Sequence, residues 1–148
     1  MRYLVVIALV ALVGCAPKQA VVKWATVAPT TTERIELRSS GEGSYTRTMD
    51  GMPASSERVS LSPDQLAELA ELFRTQKACQ LAHDPAYTPG PDEGQTTLEL
   101  AFPDQHCTVV LWNTEWQRGS AKEITETMRS MRPLRPSGPP PDRLQPHR

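Results

Sequence analysis

The sequence predicts an α+β domain over residues 33–131, in which two helices pack on one face of an antiparallel sheet of about five strands. Two observations support this fold class. Short stretches alternate apolar and polar residues, as half-buried strands do. Two longer stretches carry apolar residues at helical spacing behind capping signals. Because the stretches follow one another in the order βββαββα, we expect both helices on one side of the sheet.

Five stretches show the alternation of a strand. Turn signals at Ser40–Gly43 and Asp50–Gly51 separate the first three of them. The last stretch carries apolar residues on both faces, which predicts a central position in the sheet. The predicted strands are Glu33–Ser39, Ser44–Met49, Ser56–Leu61, Thr96–Phe102 and His106–Trp112.

Capping signals set the starts of the two predicted helices. Ser62 is the expected N-cap of the first helix, with Pro63 in its first turn and Gln65 completing a capping box. This helix is expected to end near residues 76–79. The second helix is predicted over Ser120–Met131, with Ser120 and Glu123 forming another capping box.

Length and composition limit the chain to one modest domain with irregular flanks. The 148 residues carry a formal net charge of −1, which gives no reason to expect nucleic-acid binding. The 14 prolines concentrate toward the ends of the chain and in an acidic loop over residues 82–94. Residues 15–32 are therefore predicted to be a tether, and the basic, proline-rich residues 132–148 a disordered tail. The alternative for the tether is that Trp24 and the Val21-Val22 pair form a short strand.

The first fourteen residues have the pattern of a secretory signal. Arg2 supplies a positive charge, Leu4–Val13 is an unbroken apolar run, and the small Gly14 precedes Cys15. A membrane-spanning helix needs about 20 apolar residues, so this run is too short to be a permanent anchor. The pattern predicts that residues 1–14 are removed during export.

The segment Leu12-Val13-Gly14-Cys15 resembles the lipobox of bacterial lipoproteins. This resemblance implies cleavage before Cys15, thioether lipidation of its sulfur and acylation of the new amino terminus. Several acyl chains hold a protein firmly to a membrane, whereas one holds it only marginally. Ala16 after the cysteine implies the outer membrane under the sorting pattern of enteric bacteria. The alternative is an ordinary secreted protein with a chance cysteine at the cleavage site.

Cys79 and Cys107 are the cysteines that remain once Cys15 is lipidated. Export favours a disulfide between them, because disulfides persist in oxidising compartments. The alternative is a zinc site that adds His83 and His106, since zinc favours these ligands. Neighbouring residues of a strand point to opposite faces, so His106 and Cys107 are poorly placed to share a metal.

Two further groups are candidates for binding. Four acidic residues are candidate calcium ligands, although their spacing matches no EF-hand and also suits a solvated loop: Asp84, Asp92, Glu93 and Asp104. Trp112 and Trp116 form a weak candidate binding patch, and the alternative places both in packing roles. No Gly-x-Ser-x-Gly elbow or other nucleophile with a base is evident, so no catalytic residue is predicted.

One more resemblance concerns the exported part. The strand Arg34–Gly41, a strand pair and Leu61–Leu66 resemble the emfourin-type small inhibitors of bacterial metalloproteases. In that family a strand ending in Ser-Gly-Gly precedes a similar sheet and helix, whereas this chain has Ser40-Gly41-Glu42. The resemblance implies a binding domain rather than an enzyme.

The sequence therefore predicts a membrane-tethered lipoprotein of the cell envelope. Its exported part is expected to be a non-enzymatic binding or structural domain without a cofactor, with the membrane and an envelope protein as partners. The alternative is a small metal-dependent protein or enzyme using Cys79, His83, His106 and Cys107.

Overall fold

The structure, a computed structural model, describes residues 20–133. In this part of the chain a six-stranded antiparallel sheet has the strand order β4-β3-β2-β1-β5-β6. Two helices and two short 3-10 helices, Ala78–Gln80 and Glu115–Gln117, accompany it. The strands are β1 (Ala20–Ala28), β2 (Thr31–Arg38), β3 (Glu42–Met49), β4 (Met52–Ser60), β5 (Gln95–Phe102) and β6 (Gln105–Trp112), and the helices are α1 (Pro63–Thr75) and α2 (Gly119–Ser130).

The predicted α+β class is confirmed, but the sheet has one strand more than expected. Strand β1 lies within the predicted tether, between β2 and β5, and it buries Val22 and Trp24. Its alternation was obscured because Val21, Ala25 and Val27 add apolar residues on the opposite face. The order is therefore ββββαββα, and the prediction that residues 20–32 belong to a tether is wrong.

The core lies on the face of the sheet that the helices cover. Alternate residues of the strands point into it, as the two-residue period of a strand requires. The helices contribute the remainder through stripes at helical spacing. The largest fully buried side chains are Val22, Ile35, Leu37, Phe73, Leu98, Leu100, Trp116, Ile124 and Met128.

The two helix starts differ in how well the sequence predicted them. At α1 the amide N–H of Ser62 donates to Gln65 Oε1 at 2.9 Å, and the amide N–H of Gln65 donates to Ser62 Oγ at 3.2 Å, so this capping box is confirmed. At α2 the N-cap is Arg118, without a side-chain cap, so the predicted Ser120–Glu123 box is wrong. Glu123 instead accepts a hydrogen bond from the side-chain amide of Gln76, and this bond links α2 to the end of α1.

Strand β6 is an edge of the sheet, contrary to its predicted central position. Its inward residues Val109 and Leu111 are buried, whereas Val110 on the opposite face is 45% exposed. Because the helices cover only one face, apolar residues on both faces of this strand do not indicate burial on both sides.

The described chain ends with three residues that follow α2. Arg132, placed in the tail by the sequence, forms an ion pair with Glu33 of β2. The rest of the predicted tail, residues 134–148, and the signal with the lipobox lie outside the described residues. No helix in residues 20–133 is both long and apolar enough to cross a membrane.

Candidate functional site

The disulfide predicted between Cys79 and Cys107 is present in the structure, with a Cα–Cα distance of 5.6 Å. Cys79 lies in the 3-10 helix that follows α1, and Cys107 lies in β6. Lys77, in the left-handed region at φ 51°, redirects the chain between α1 and this short helix. The bond therefore ties the end of α1 to an edge of the sheet.

The alternative zinc ligands do not come together. Both cysteines are used by the disulfide, and the His83 ring contacts Glu115 instead. His106 is exposed. Within residues 20–133, no group of three or more histidine, cysteine or acidic residues is arranged to hold a metal ion.

Glu115 connects the long loop after α1 to the end of β6, a role that the sequence did not predict. This residue is 9% exposed and accepts hydrogen bonds from the amide N–H of Asp84 at 2.8 Å and of Trp112 at 2.9 Å. His83 Nδ1 lies 3.0 Å from both carboxylate oxygens. The carboxylate thus links the loop, through the amide of Asp84, to the end of β6, through the amide of Trp112.

The same contacts set the acidity of this carboxyl group. Burial by itself raises the pKa of Glu115, because it disfavours the charged form. The amide N–H groups of Asp84 and Trp112, together with His83, favour the charged form more strongly and lower the pKa overall. Glu115 is therefore a stably ionised structural anchor rather than a proton donor poised near neutral pH.

Glu93, a candidate calcium ligand in the predicted acidic loop, is a second anchor. It accepts hydrogen bonds from the hydroxyl of Tyr87 and from the amide N–H of Thr114 at 2.8 Å. The Tyr87 hydrogen bond is the main reason why the pKa of Glu93 falls to about 2. The loop is thus fastened to the segment after β6.

The remaining acidic candidates also fail to converge on a cation site. Asp104, in the β5–β6 turn, pairs with Arg74 of α1, and the hydrogen bond from that guanidinium lowers its pKa. Asp84 accepts from the amide N–H of Ala86, and Asp92 is exposed. These carboxylates serve separate local contacts.

The proposed tryptophan patch is wrong for Trp116. This side chain is 1% exposed, packs edge-on against Trp24 with ring centroids 4.8 Å apart, and donates its Nε1–H to the carbonyl of Thr96 at 2.8 Å. Trp112 is half-buried at the end of β6 and lies on the opposite side of the sheet from the core. The two rings therefore do not form one surface.

The most accessible part of the described sheet is its other edge, β4. Of the nine residues in this strand, Val59 alone is buried. A hollow of about 630 Å³ opens beside the strand, between α1 and the end of α2. Its apolar lining consists of Val59, Leu61, Leu69, Leu72, Met131 and Pro133.

A second hollow, of about 410 Å³, lies at the start of β4 and contains a polar cluster. The Tyr45 hydroxyl donates to Glu33 Oε1 at 3.0 Å, and Arg132 pairs with the other oxygen. Arg47 Nε is 3.7 Å from Glu33 and has no hydrogen-bond partner among the described residues, although it is buried. Burial, followed by the Glu33 hydrogen bond, raises the pKa of Tyr45.

The β4 surface could not be predicted from the sequence, because its exposure depends on tertiary structure. The exposed Met52 and the mixed Ser-Ser-Glu-Arg run indicate a solvated strand, but nothing in them indicates that helices leave it uncovered. Only the strand order places β4 at an edge. The hollows depend on where α2 ends.

The Ser40-Gly41-Glu42 segment, where the chain departs from the emfourin pattern, has a structural role. Ser40 and Gly41 lie in the turn between β2 and β3, Glu42 begins β3, and Gly41 adopts φ 83°. A Cβ at this position would lie 2.2 Å from the carbonyl oxygen of Leu61, so the close approach requires glycine. The likeness to the inhibitor family stays a prediction.

Comparison with known proteins does not assign the chain to a family. No family model matches it, and no curated protein sequence is similar enough to be matched. The features that bear on function are therefore the lipobox-like segment, the disulfide and the uncovered β4 surface.

Proposed function

We propose that this chain is a lipid-anchored protein of the bacterial cell envelope, whose exported domain is a non-enzymatic binding module. The proposal begins with the positive n-region, the apolar run and the Leu12–Cys15 segment. Cys15 is the residue that would carry the lipid. Ala16 favours the outer membrane as its destination.

The disulfide is the structural observation that most strongly supports export. Cys79 and Cys107 lie far apart in sequence, yet their Cα atoms are 5.6 Å apart, within the range that a disulfide requires. Disulfides persist in exported proteins and are rare in the reducing cytosol. A signal sequence and a bonded cysteine pair are independent features that support the same compartment.

The binding surface that the geometry favours is β4 with its two hollows. Apolar side chains line the first hollow, while charged groups and Met52 border the second. Partly exposed apolar surface framed by polar groups is a common feature of protein interaction sites. The candidate partner is an envelope protein that adds contacts along this edge.

Processing in cells tests the anchor. The wild-type chain and the Cys15→Ala variant are expressed in bacteria and separated into membrane and soluble fractions. We expect mature, membrane-bound wild type and unprocessed Cys15→Ala, since lipidation at this sulfur precedes cleavage in the pathway that the lipobox implies. Cys107→Ala is the matched control, because it loses a different cysteine and should still be processed and retained.

Capture from detergent-solubilised envelope tests the binding surface. Met52→Glu alters the second hollow at a side chain that is 61% exposed, whereas Val110→Glu makes the same change at an exposed residue on the other edge. We expect a partner that wild type and Val110→Glu recover and Met52→Glu does not. Equal recovery by all three proteins would exclude the second hollow as the docking site.

A further inference from the structure

The chain between the proposed lipid and the folded domain is short. The sequence alone predicted a tether that extends to residue 32, but β1 begins at Ala20 and is held on both sides by β2 and β5. Five peptide steps separate Cys15 from Ala20. A fully extended chain spans at most about 3.6 Å per residue, so Ala20 lies within about 18 Å of Cys15 in any conformation of the residues between them.

Ala20 also fixes which end of the sheet is near the lipid. It pairs with Arg38, and the same end of the sheet contains Glu42 paired with Ser60. This near end is defined by Ala20, Arg38, Glu42 and Ser60. The far end is defined by residues at the other termini of the same strands, Ala28, Thr31, Met49 and Met52.

The distance between the two ends of the sheet is larger than the reach of the chain between Cys15 and Ala20. Strand β2 has eight residues, and a strand rises about 3.3 Å per residue, so the ends lie roughly 25 Å apart. This length exceeds the reach of the five-step connection. The anchor therefore restrains the near end much more than the far end.

We infer that the lipidated protein sits with its near end against the phospholipid headgroups and its far end directed away from the bilayer. This inference rests on the proposed lipidation of Cys15. The second hollow, lined by Met49 and Met52, lies at the far end and remains open to a partner in the aqueous compartment. The first hollow borders Ser60 at the near end. The orientation therefore leaves the second hollow as the part of the β4 surface that faces a partner.

Chain length rather than charge holds the near end in place. The surface around Ala20 carries both signs, with Arg38 and Arg58 beside Glu36 and Glu42. Anionic lipids attract clusters of basic residues, and a balanced surface gains little from them. The orientation should therefore be the same on neutral and anionic vesicles and should not change with salt.

Energy transfer from the protein to labelled lipids tests the orientation. Ser39→Cys and Thr30→Cys place a thiol in the turn next to the near end and the far end, respectively, and both residues are exposed. Cys15 carries the lipid and the other two native cysteines are bonded, so the introduced thiol takes the fluorophore. Each lipidated protein is reconstituted into phosphatidylcholine vesicles with an acceptor on the headgroups, after intact mass has verified lipidation and thermal melting has verified folding.

We expect the donor at position 39 to lose more of its emission to the acceptor than the donor at position 30. Equal losses, or a larger loss at position 30, would overturn the inferred orientation. A form that carries ten added Gly and Ser residues between Lys18 and Gln19 is the matched control. Its longer connection should reduce the contrast, and an unchanged contrast would show that the anchor length does not set the orientation. Absence of acyl mass on Cys15 would instead overturn the proposed function.

Discussion

Strands β6 and β4 are the two edges of one sheet, yet they are held in very different ways. The β6 edge is joined to α1 by the Cys79–Cys107 disulfide and to the preceding loop by the carboxylate of Glu115. The β4 edge buries only Val59. The disulfide and the Glu115 carboxylate therefore fasten one edge, and the other edge stays accessible.

This difference separates the edge that stabilises the fold from the edge that we propose as the binding surface. Edge strands are liable to pair with other chains, and proteins restrict this by covering the edge or by placing charges and proline on it. Here the β6 edge is approached by the short helix that contains Cys79, whereas β4 carries Pro53, Glu57 and Arg58. The β4 edge is thus protected from indiscriminate pairing while the second hollow stays open.

The largest expected effect comes from removing the disulfide. A Cys79→Ala, Cys107→Ala double variant should unfold more easily by about 3.5 kcal/mol, because the bond closes a long loop and limits the unfolded chain. Urea unfolding at neutral pH measures this. Reduced wild-type protein should match the double variant. A stability equal to that of oxidised wild type would show that the β6 edge does not depend on this bond.

The Glu115 anchor should have the next largest effect. In Glu115→Gln the side chain keeps one acceptor oxygen, but its NH₂ group replaces the other. One of the two backbone N–H groups that donate to Glu115 then lacks an acceptor. An unsatisfied buried donor costs about 1–3 kcal/mol, and we expect a loss in that range by the same urea measurement. Glu99→Gln, at a half-exposed residue paired with Lys23, is the control and should change much less. Equal losses in both variants would remove Glu115 from the list of anchors.

Acid should weaken the β6 edge through Glu93. Its pKa is lowered from 4.5 to about 2 in the folded state, so its contribution to stability is fully present above pH 4.5 and disappears as the pH falls toward 2. Glu93→Gln should therefore flatten the dependence of stability on pH in this window. Thermal melts of both proteins from pH 5 to 2 measure the effect, and parallel curves would contradict it.

The smallest effect is expected at the β4 edge. Met52→Glu should change the free energy of unfolding by no more than about 0.5 kcal/mol, because exposed substitutions away from special contacts rarely do more. The variant should therefore lose partner capture without losing stability. A loss comparable to that of the disulfide variant would show that this edge also supports the fold, and it would weaken the contrast between the two edges.

The fold class could be predicted from the sequence because local patterns of caps, turns and apolar residues indicate the helices and strands. Ser62 and Gln65 form the expected capping box, and the Asp50–Gly51 turn joins two strands. Strand β1 was predicted only as an alternative, a short strand around Val21-Val22 and Trp24, because valines on both of its faces obscured the alternation. The position of each strand within the sheet depends on long-range pairing, so β6 was wrongly predicted to be central.

Of the candidate site, the sequence predicted only those features that residue type by itself reveals. Cysteine count and the expected export predicted the Cys79–Cys107 bond, and the structure contains it. Glu115 and Glu93 gave no comparable signal, because an anchoring carboxylate is recognised by the amide groups that surround it. Tryptophan occurs both in protein cores and in binding patches, so residue type alone does not tell which role Trp116 has. Its packing against Trp24 shows that it belongs to the core.

One intact-mass measurement on membrane-extracted protein tests the central claim, that this is an exported lipoprotein with a disulfide-fastened domain. We expect a chain that begins at Cys15, carries acyl mass on that residue and gains two hydrogen atoms upon reduction. Peptide mapping should recover Cys79 and Cys107 in one cross-linked fragment before reduction. A chain that retains residues 1–14, or one with an unmodified Cys15, would contradict the anchor. Two free thiols at positions 79 and 107 would contradict the fastened edge.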